Sequence, residues 1–304
     1  MFKKIIFIAI LLFAAGIFGY NFKTDPYAKE VVRTGFLNHY KVYALPVPDS
    51  LSLVDEPVPV RQKDVKERID RELLVNTYWQ SNALLLIKRQ NKYFPVIEPI
   101  LKREGVPDDF KYLAVAESGL QNITSPAGAK GFWQLMKKTA IELGLEVNDE
   151  VDERYNLEKS TVAACQYLKK AKQKYGSWTL AAAAYNAGMQ KISKELARQK
   201  TDNYYDLLLN TETARYVPRI IALKYILSHP KDFGFVYSQD DLYTPYQYNI
   251  VKVDSSITDL ADFARKMNMS YKELKLLNPW LRQGKLTNKA GKTYAIKIKP
   301  VRKN

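Results

Sequence analysis

The feature that most constrains this fold is a region of about 170 residues, 61–230, in which apolar residues recur every three to four positions and strand patterns are almost absent. That spacing places apolar side chains on one face of a helix. The first such face is expected to comprise Ile69, Leu73, Val75, Tyr78 and Trp79. A region of this length can enclose a core of its own, so the sequence predicts an all-α domain over 61–230.

Turn-forming residues set the predicted helix boundaries. A helix running to Arg103 is expected to end at Gly105, and the next to span 110–118 with Asp108 and Asp109 available as caps. Later helices are predicted at 136–143, 158–175, 178–187, 189–199 and 212–228.

The last part of the chain, 247–304, has a different pattern. YNIVKV near its start and TYAIKIKP near its end alternate as strands do, and 257–278 between them carries two helical stretches. Ser270 and Glu273 are spaced for a capping box. The sequence therefore predicts a small βααβ module.

Three further segments are not predicted to belong to either domain. Residues 1–22 begin with MFKK and continue as an apolar run, which is typical of an export signal or a membrane anchor, and the sequence leaves both possible. Residues 23–60 end in a Pro-rich stretch and are predicted to be a spacer. Residues 231–246 are predicted to be a linker.

The charge pattern indicates an anionic partner. The formal net charge is +15, and residues 247–304 hold 13 Lys or Arg against 4 Asp or Glu, or +9 of that total. Nucleic acid, lipid headgroups or an acidic cell wall would fit, and a merely solvated basic surface is the alternative. Nucleic-acid binding conflicts with the export signal, so we expect no nucleic-acid partner.

Cysteine and histidine are scarce. Cys165 is the single cysteine, so no intramolecular disulfide is possible, and its helical setting predicts a buried structural thiol. The two histidines, His39 and His229, lie in settings that argue against zinc chemistry.

One carboxyl group stands out on a predicted buried face. Phe110, Leu113, Ala114 and Glu117 lie at i, i+3, i+4 and i+7 of the helix DDFKYLAVAESGL, which places Glu117 on its apolar side. Desolvation raises a carboxyl pKa, so such a side chain can donate a proton near neutral pH. The alternative is a buried glutamate paired with a nearby Lys or Arg.

The segment that follows, SPAGAKGFWQLM, suits a binding loop. Gly128 and Gly131 allow tight turns and close approach of a ligand, Trp133 offers a face for stacking, and Gln134 offers both a donor and an acceptor. The alternative is a turn followed by a tryptophan of the core.

Two later segments place polar groups at helix positions. AAAAYNAG ends a densely packing alanine helix with Tyr185 and Asn186, and ETARYVPRI places Tyr216 near Pro218. The alternative for the alanine helix is a close helix contact with Asn186 as its cap. For the second segment, Tyr216 could belong to the core, and Pro218 could simply kink or end its helix.

Taken in order, ESGL, SPAGAKGFWQLM, AYNAG and ETARYV resemble the motifs of the lytic transglycosylases with a goose-type lysozyme fold, the SLT family, and more narrowly the membrane-bound murein transglycosylase D group. The resemblance covers about 61–230. It implies a lysozyme-like α-helical domain with Glu117 as the single catalytic acid and base. It also implies a set of cleft residues: Ser118, Trp133, Gln134, Met136, Tyr185, Asn186 and Tyr216. The chain departs from the family at Lys137, where Pro is frequent, and at Asn156-Leu157, where Asp-Pro is frequent.

The resemblance also implies a reaction. The expected enzyme is a peptidoglycan lyase that cleaves the β-1,4 bond from N-acetylmuramic acid to N-acetylglucosamine, leaves 1,6-anhydro ends and needs no cofactor. Its partner would be the glycan strands of the cell envelope, where the exported protein would act as a monomer. If Glu153 served as a second carboxylate, a hydrolase using water would be possible, although pairing of Glu153 with Arg154 or a surface cation is the alternative. A non-catalytic wall-binding scaffold is a further alternative.

The C-terminal module resembles LysM, a small βααβ binder of N-acetylglucosamine polymers. YNIVKV, the two helices and LLNPWL occur in the expected order. The Gly-Asp that usually follows the first strand is replaced by Val253-Asp254-Ser255-Ser256. The module is therefore expected either to bind glycan or to serve only as a packing unit.

Overall fold

Ten α-helices and two small two-stranded sheets make up the part of the protein that this computed structural model describes, residues 41–300. The predicted signal or anchor at 1–22 lies outside the described residues, as do 23–40 of the predicted spacer. Between residues 41 and 300, no helix is both long and apolar enough to cross a membrane.

The helices, in chain order, are α1 (Lys63–Tyr78), α2 (Gln80–Glu104), α3 (Lys111–Ser118), α4 (Lys137–Glu142), α5 (Leu157–Tyr175), α6 (Trp178–Ala187), α7 (Met189–Gln199), α8 (Thr211–Ser228), α9 (Leu260–Lys266) and α10 (Tyr271–Leu277). The strands are β1 (Ser52–Leu53), β2 (Glu56–Pro57), β3 (Asn249–Val253) and β4 (Tyr294–Ile298).

The prediction of a mainly α protein is confirmed, and α4 to α8 lie within one or two residues of their predicted bounds. The helix α2 ends at Gly105, which has φ of 68° and closes the helix in the left-handed conformation that glycine adopts readily. Pro218 does not end its helix, since α8 continues for ten residues beyond it. Cys165 is a buried free thiol, as predicted.

The predicted buried face of α1 is only partly correct. Ile69 and Leu73 are fully buried, but Val75 is 43% exposed and Trp79 is 61% exposed. Val75 follows Leu73 by two residues, which is about 200° around the helix and therefore on the opposite side. Trp79 lies at the break between α1 and α2, where its ψ of 61° interrupts the helix.

The end of the predicted spacer is folded against the helices. Leu53 of the β1–β2 hairpin is fully buried. The carboxylate of Glu56 accepts hydrogen bonds from the backbone N–H groups of Trp178 and Thr179 at 2.6 and 2.8 Å and from the Ser177 hydroxyl at 2.8 Å. It thus satisfies the free donors at the start of α6.

The same hairpin contacts the start of α3. Asp109 was expected to cap that helix, but it makes no capping bond there. Its carboxylate instead accepts hydrogen bonds from the backbone N–H of Val54 at 2.5 Å and from Lys224 of α8 at 2.6 Å. Lys224 also donates to the carbonyl of Ser52 at 3.2 Å, so the hairpin is bound to α8, to α6 and to the turn that precedes α3.

The C-terminal module has the predicted order of strand, two helices and strand. β3 and β4 pair antiparallel, with Val251 opposite Ile296. The capping box of Ser270 and Glu273 is present at the start of α10. A buried cluster around Trp280 and Leu281 forms the core of the module.

This module packs directly on the helical domain. The backbone N–H of Asp152 donates to the carbonyl of Trp280 at 2.9 Å, and that of Arg282 donates to the carbonyl of Glu150 at 2.7 Å. Val151 and Tyr155 of the helical domain belong to the same buried cluster as the core of the module. The two regions thus share one core at their junction.

The segment predicted as a linker, 231–246, runs along α2. The backbone N–H of Tyr243 donates to the carbonyl of Lys88 at 3.2 Å, and the side chain of Asn91 donates to the carbonyl of Tyr243 at 3.1 Å. These bonds fix the connection between the two domains to the surface of the helical domain.

Candidate active site

Glu117 lies in the last turn of α3. Phe110, Leu113 and Ala114 are fully buried, so the predicted apolar face of this helix is confirmed. Gly119 then ends the helix in the left-handed conformation, with φ of 58°. Glu117 itself keeps part of its surface exposed.

The carboxyl group of Glu117 accepts a hydrogen bond from the hydroxyl of Tyr216 on α8. Burial raises the pKa of Glu117 to about 7, although the hydrogen bond from Tyr216 and the positive charge of Arg219 oppose the rise. The negative charge of Glu212 adds to it. Near neutral pH the group is therefore available both as an acid and as a base.

The alternative of a buried ion pair does not describe Glu117. Among residues 41–300 no ion pair involves Glu117, and Arg219, the cation that lowers its pKa, pairs with Glu212 at 3.1 Å and with Glu72 at 3.4 Å. Arg219 thus forms ion pairs with two other carboxylates, and it lowers the pKa of Glu117 only through its electrostatic field.

The buried carboxylate of Glu72 on α1 was not predicted from the sequence. It binds Arg215 at 2.6 Å and Arg71 at 2.7 Å as well as Arg219. The positions of Glu212, Arg215 and Arg219, at i, i+3 and i+7 of α8, were an available signal that this helix has a charged face. This network joins α1 to the helix that carries Tyr216.

Ser118 was expected to line the cleft, but it is buried and serves a different contact. Its hydroxyl donates to the carbonyl of Phe132 at 2.8 Å and approaches that of Ala114 at 3.1 Å, and it accepts from the backbone N–H of Gln121 at 3.3 Å. The one donor hydrogen of the Ser118 hydroxyl is therefore used within the fold. Ser118 ties the end of α3 to the loop that follows.

That loop, 121–136, is closed by backbone contacts that require glycine. Gly131 has φ of 80°, and a Cβ atom there would lie 1.9 Å from the carbonyl oxygen of Arg154. Gln134 adopts φ of 46°, and its side-chain nitrogen donates to the carbonyls of Gly131 at 2.7 Å and Ile123 at 3.2 Å. Gln134 stays partly exposed, as a cleft residue must.

The expectation that Trp133 offers a stacking face is wrong. Its ring is 0% exposed, and its indole N–H donates to the hydroxyl of Thr161 at 2.8 Å. An aromatic ring enclosed on both faces is a residue of the core, which was the alternative interpretation. The exposed apolar residues of this loop are instead Met136, at 45% exposure, and Ile123, at 41%.

Tyr185 and Asn186 fasten the end of α6 to its neighbours. The hydroxyl of Tyr185 donates to the carbonyl of Trp133 at 2.7 Å, and the side-chain oxygen of Asn186 accepts from the hydroxyl of Thr213 at 3.1 Å. Burial and then the negative charge of Glu117 raise the pKa of Tyr185 well above its ordinary value. Tyr185 is therefore close enough to Glu117 to feel its charge, and both residues remain partly exposed.

Arg154 binds the backbone of the loop 121–136. The sequence did not predict it as a site residue. Its guanidinium group donates to the carbonyls of Gly128 at 3.2 Å and Leu135 at 3.3 Å, and it pairs with the buried carboxylate of Asp152 at 2.8 Å. Because the backbone of Asp152 is bound to Trp280, one series of hydrogen bonds links the C-terminal module to the loop.

Glu153 does not have the surroundings of a second catalytic carboxylate. It is buried, forms an ion pair with Lys159 and accepts from the backbone N–H of Glu146 at 2.9 Å. Pairing with a cation was the alternative, although the partner is Lys159 rather than Arg154. The sequence motif VDER thus supplies structural residues.

Comparisons with known proteins find similarity to lytic transglycosylases. The profile of the family described as "Transglycosylase SLT domain" matches residues 94–208, and that of "Soluble lytic transglycosylase C-terminal LysM-like domain" matches residues 249–302. The membrane-bound lytic murein transglycosylase D of Escherichia coli K12 is 29% identical over 215 residues, which are 68% of this chain and 46% of that protein. The same protein of Escherichia coli O6:H1 matches equally well. The chain therefore spans about half the length of the curated relatives it matches.

Solved structures give weaker matches. The 70 kDa soluble lytic transglycosylase of Escherichia coli superposes with a TM-score of 0.40 at 20% identity, covering 51% of this chain and 27% of that one. The lytic transglycosylase Slt of Pseudomonas aeruginosa gives a TM-score of 0.39 at 20% identity with the same coverage. Both scores are below 0.5.

Proposed function

We propose that this chain, which matches the profiles of a transglycosylase SLT domain at 94–208 and of a soluble lytic transglycosylase C-terminal LysM-like domain at 249–302, is a peptidoglycan lytic transglycosylase. Its substrate would be the glycan strands of the bacterial cell wall. The reaction would break the β-1,4 bond between N-acetylmuramic acid and N-acetylglucosamine and leave a 1,6-anhydro ring on the muramic residue. The enzyme would act in the cell envelope after export.

The observation that carries this proposal is the raised pKa of the Glu117 carboxyl group together with its hydrogen bond from Tyr216. A glycosidic oxygen is a poor leaving group until it is protonated, and a carboxyl group with a pKa of about 7 is protonated in about half of the molecules near neutral pH. Glu117 is partly exposed, and the hydroxyl of Tyr216 donates a hydrogen bond to one of its carboxyl oxygens. The other oxygen would carry the proton that the substrate receives.

A single carboxyl group suffices for the proposed reaction. Glu117 first gives its proton to the leaving oxygen, and positive charge develops at the anomeric carbon of the muramic residue. The resulting carboxylate then removes the proton from the C6 hydroxyl of the same sugar, whose oxygen attacks the anomeric carbon and closes the ring. The hydrogen bond from Tyr216 stabilises the carboxylate between these two steps.

The other site residues divide into two proposed roles. Gln134, Met136, Tyr185 and Asn186 keep exposed surface near Glu117 or on the adjoining loop and would contact the glycan. Ser118, Trp133 and Arg154 are buried and would hold that loop in place.

Mass spectrometry of the fragments released from purified peptidoglycan tests the proposal. The protein should comprise residues 46–304, because the β1–β2 hairpin is bound to α6, to α8 and to the turn that precedes α3. We expect anhydromuramic ends from the wild type, none from Glu117→Gln, and wild-type product from the matched variant Glu153→Gln if it remains folded.

Other outcomes distinguish the competing functions. Reducing muramic ends that are lost with Glu153→Gln would mean that water is the acceptor and that the enzyme is a hydrolase. Binding to the wall with no release by the wild type, under conditions where a known wall lyase is active, would mean a scaffold.

A further inference from the structure

A cavity of about 110 Å³ lies at the junction of the two domains, and Glu117 is not among the residues that line it. The helical domain supplies Tyr93 and Phe132 to its wall, the C-terminal module supplies Trp280, and the connecting segment supplies Tyr246. Aromatic rings therefore enclose it from three separate parts of the chain.

The walls of this junction cavity are fixed in place. The rings of Tyr93 and Phe132 meet edge to face with centroids 4.7 Å apart. Asp152 is bound to the backbone of Trp280, and the guanidinium group of Arg282 lies 4.2 Å from the ring centroid of Tyr155, another wall residue. A ligand would thus meet a preformed site and lose little affinity to ordering of the protein.

The cavity carries an uncompensated positive charge. Lys297 in its wall is neutralised by Glu158 at 2.5 Å. Lys92 has no ion-pair partner within the described range, 41–300, and its ammonium group lies 3.7 Å from the ring centroid of Tyr246. A ligand with a carboxylate would supply the missing negative charge.

The size of the cavity limits what can enter. Sites for whole drug-sized ligands measure roughly 300–1,000 Å³, whereas a cavity of about 150 Å³ holds a single benzene ring. At about 110 Å³ the junction cavity fits one small substituent rather than a disaccharide. Apolar walls favour an alkyl side chain, and Lys92 favours a carboxylate next to it.

We propose that the junction cavity binds one alkyl side chain of the peptide arm of peptidoglycan, with a neighbouring carboxylate of the arm at Lys92, while the glycan lies at Glu117. This inference rests on the proposed function, since it takes the cell wall as the substrate. Through this site, the affinity of the enzyme for a glycan strand would depend on whether the strand carries peptide arms. Phe132 connects the two sites, because its ring lines the cavity and its carbonyl accepts the hydrogen bond from Ser118.

Binding of defined fragments to the Glu117→Gln protein tests the inference without turnover. Isothermal titration calorimetry would compare a short muropeptide strand carrying tetrapeptide arms with the same glycan after enzymatic removal of the arms. We expect the arms to tighten binding by about fivefold to tenfold, which corresponds to about 1–1.4 kcal/mol. Adding Lys92→Gln should abolish that difference.

A matched charge change is the control. Lys102→Gln removes one positive charge from an exposed position on the same helix α2 and should leave the preference for arms intact. Tyr246→Ala, which removes an exposed wall residue, should weaken binding of the armed strand only. Both variants should keep the circular dichroism of the parent.

Two results would overturn the inference. They are equal affinity for strands with and without arms, and equal loss of affinity with Lys92→Gln and Lys102→Gln. Neither result bears on the proposed reaction, which the anhydromuramic products of the wild type test independently. Binding of the arms by a protein that makes no such product would refute the reaction and leave the peptide site intact.

Discussion

The hydroxyl of Tyr216 donates a hydrogen bond to Oε1 of Glu117, joining two residues 99 positions apart in the chain. The bond favours the charged form of Glu117, while burial favours the neutral form. The pKa of about 7 is the balance of these effects. Removing either contribution should move the pKa in a known direction.

Tyr216→Phe should raise the pKa of Glu117 further, because the carboxylate loses its donor. If the reaction needs protonated Glu117, kcat/KM of the wild type should fall as pH rises through about 7. In the variant this alkaline limb should move up by about one pH unit. Tyr204→Phe, which also removes a buried hydroxyl, should not move it. A downward shift in Tyr216→Phe would contradict the assignment of Glu117 as the acid.

Glu117→Gln should stabilise the fold at alkaline pH. The pKa of Glu117 in the folded protein, about 7, lies above its ordinary value of 4.5. The stabilisation from binding its proton is therefore complete below pH 4.5 and lost as pH rises through 7. At pH 8 the neutral variant should exceed the wild type by on the order of 2–3 kcal/mol in the free energy of unfolding. Urea titrations should show this gap closing towards pH 4, and a gap independent of pH would be inconsistent with a buried acid.

Gly131→Ala should disrupt the loop far more than Gly128→Ala. Both glycines have positive φ, 80° and 86°, so each alanine costs about 1–2 kcal/mol in backbone strain. A Cβ atom at Gly128 meets no atom within 4 Å, whereas one at Gly131 would lie 1.9 Å from the carbonyl oxygen of Arg154. We expect Gly131→Ala to lose most activity and several kcal/mol of stability. Similar effects of the two variants in thermal unfolding and product release would show that this close approach is unimportant.

Arg154→Lys should lower activity although the charge is retained. A lysine cannot reproduce the planar group that binds Asp152 and the carbonyls of Gly128 and Leu135 together. We expect a loss of about 2 kcal/mol in stability and about tenfold in kcat. Arg198→Lys, at an exposed ion pair with Glu195, is the control and should change neither by a measurable amount. Steady-state kinetics and urea unfolding of both variants provide the comparison.

Glu56→Gln should weaken the attachment of the hairpin to α6. Burial raises the pKa of Glu56, but hydrogen bonds from Thr179, Trp178 and Ser177 outweigh it and bring the pKa down to about 2. The stabilisation from the carboxylate is therefore present above pH 4.5 and is lost as pH falls through about 2. We expect a deficit of about 1 kcal/mol at pH 7 that shrinks in acid. Glu142→Gln, an exposed carboxyl, should show no deficit at either pH in urea unfolding.

Much of the helical framework was predictable from local patterns. Apolar spacing and glycine positions located α4 to α8, and the same spacing placed Glu117 on the buried face of α3. The alternation of YNIVKV and TYAIKIKP located β3 and β4. These features depend on residues a few positions apart, which the sequence shows directly.

Other residues were misassigned because their surroundings come from distant parts of the chain. Trp133 and Ser118 have the composition of ligand contacts, yet one binds Thr161 and the other binds Phe132. The hairpin at 52–57 has the composition of a spacer, yet Glu56 is bound to α6, more than 100 residues away. A side chain rich in donors can serve a ligand or the fold, and composition does not distinguish the two.

The sequence by itself determined where the helices lie, that Glu117 faces the core and that residues 249–298 have the order strand, two helices, strand. The tertiary structure alone decided that Tyr216 meets Glu117, that Arg154 supports the loop, and that the C-terminal module encloses a charged cavity with α2. Local patterns follow from the 3.6-residue and two-residue periods of the backbone. Contacts between distant segments, and the burial that sets the pKa of Glu117, exist only once the whole core has closed.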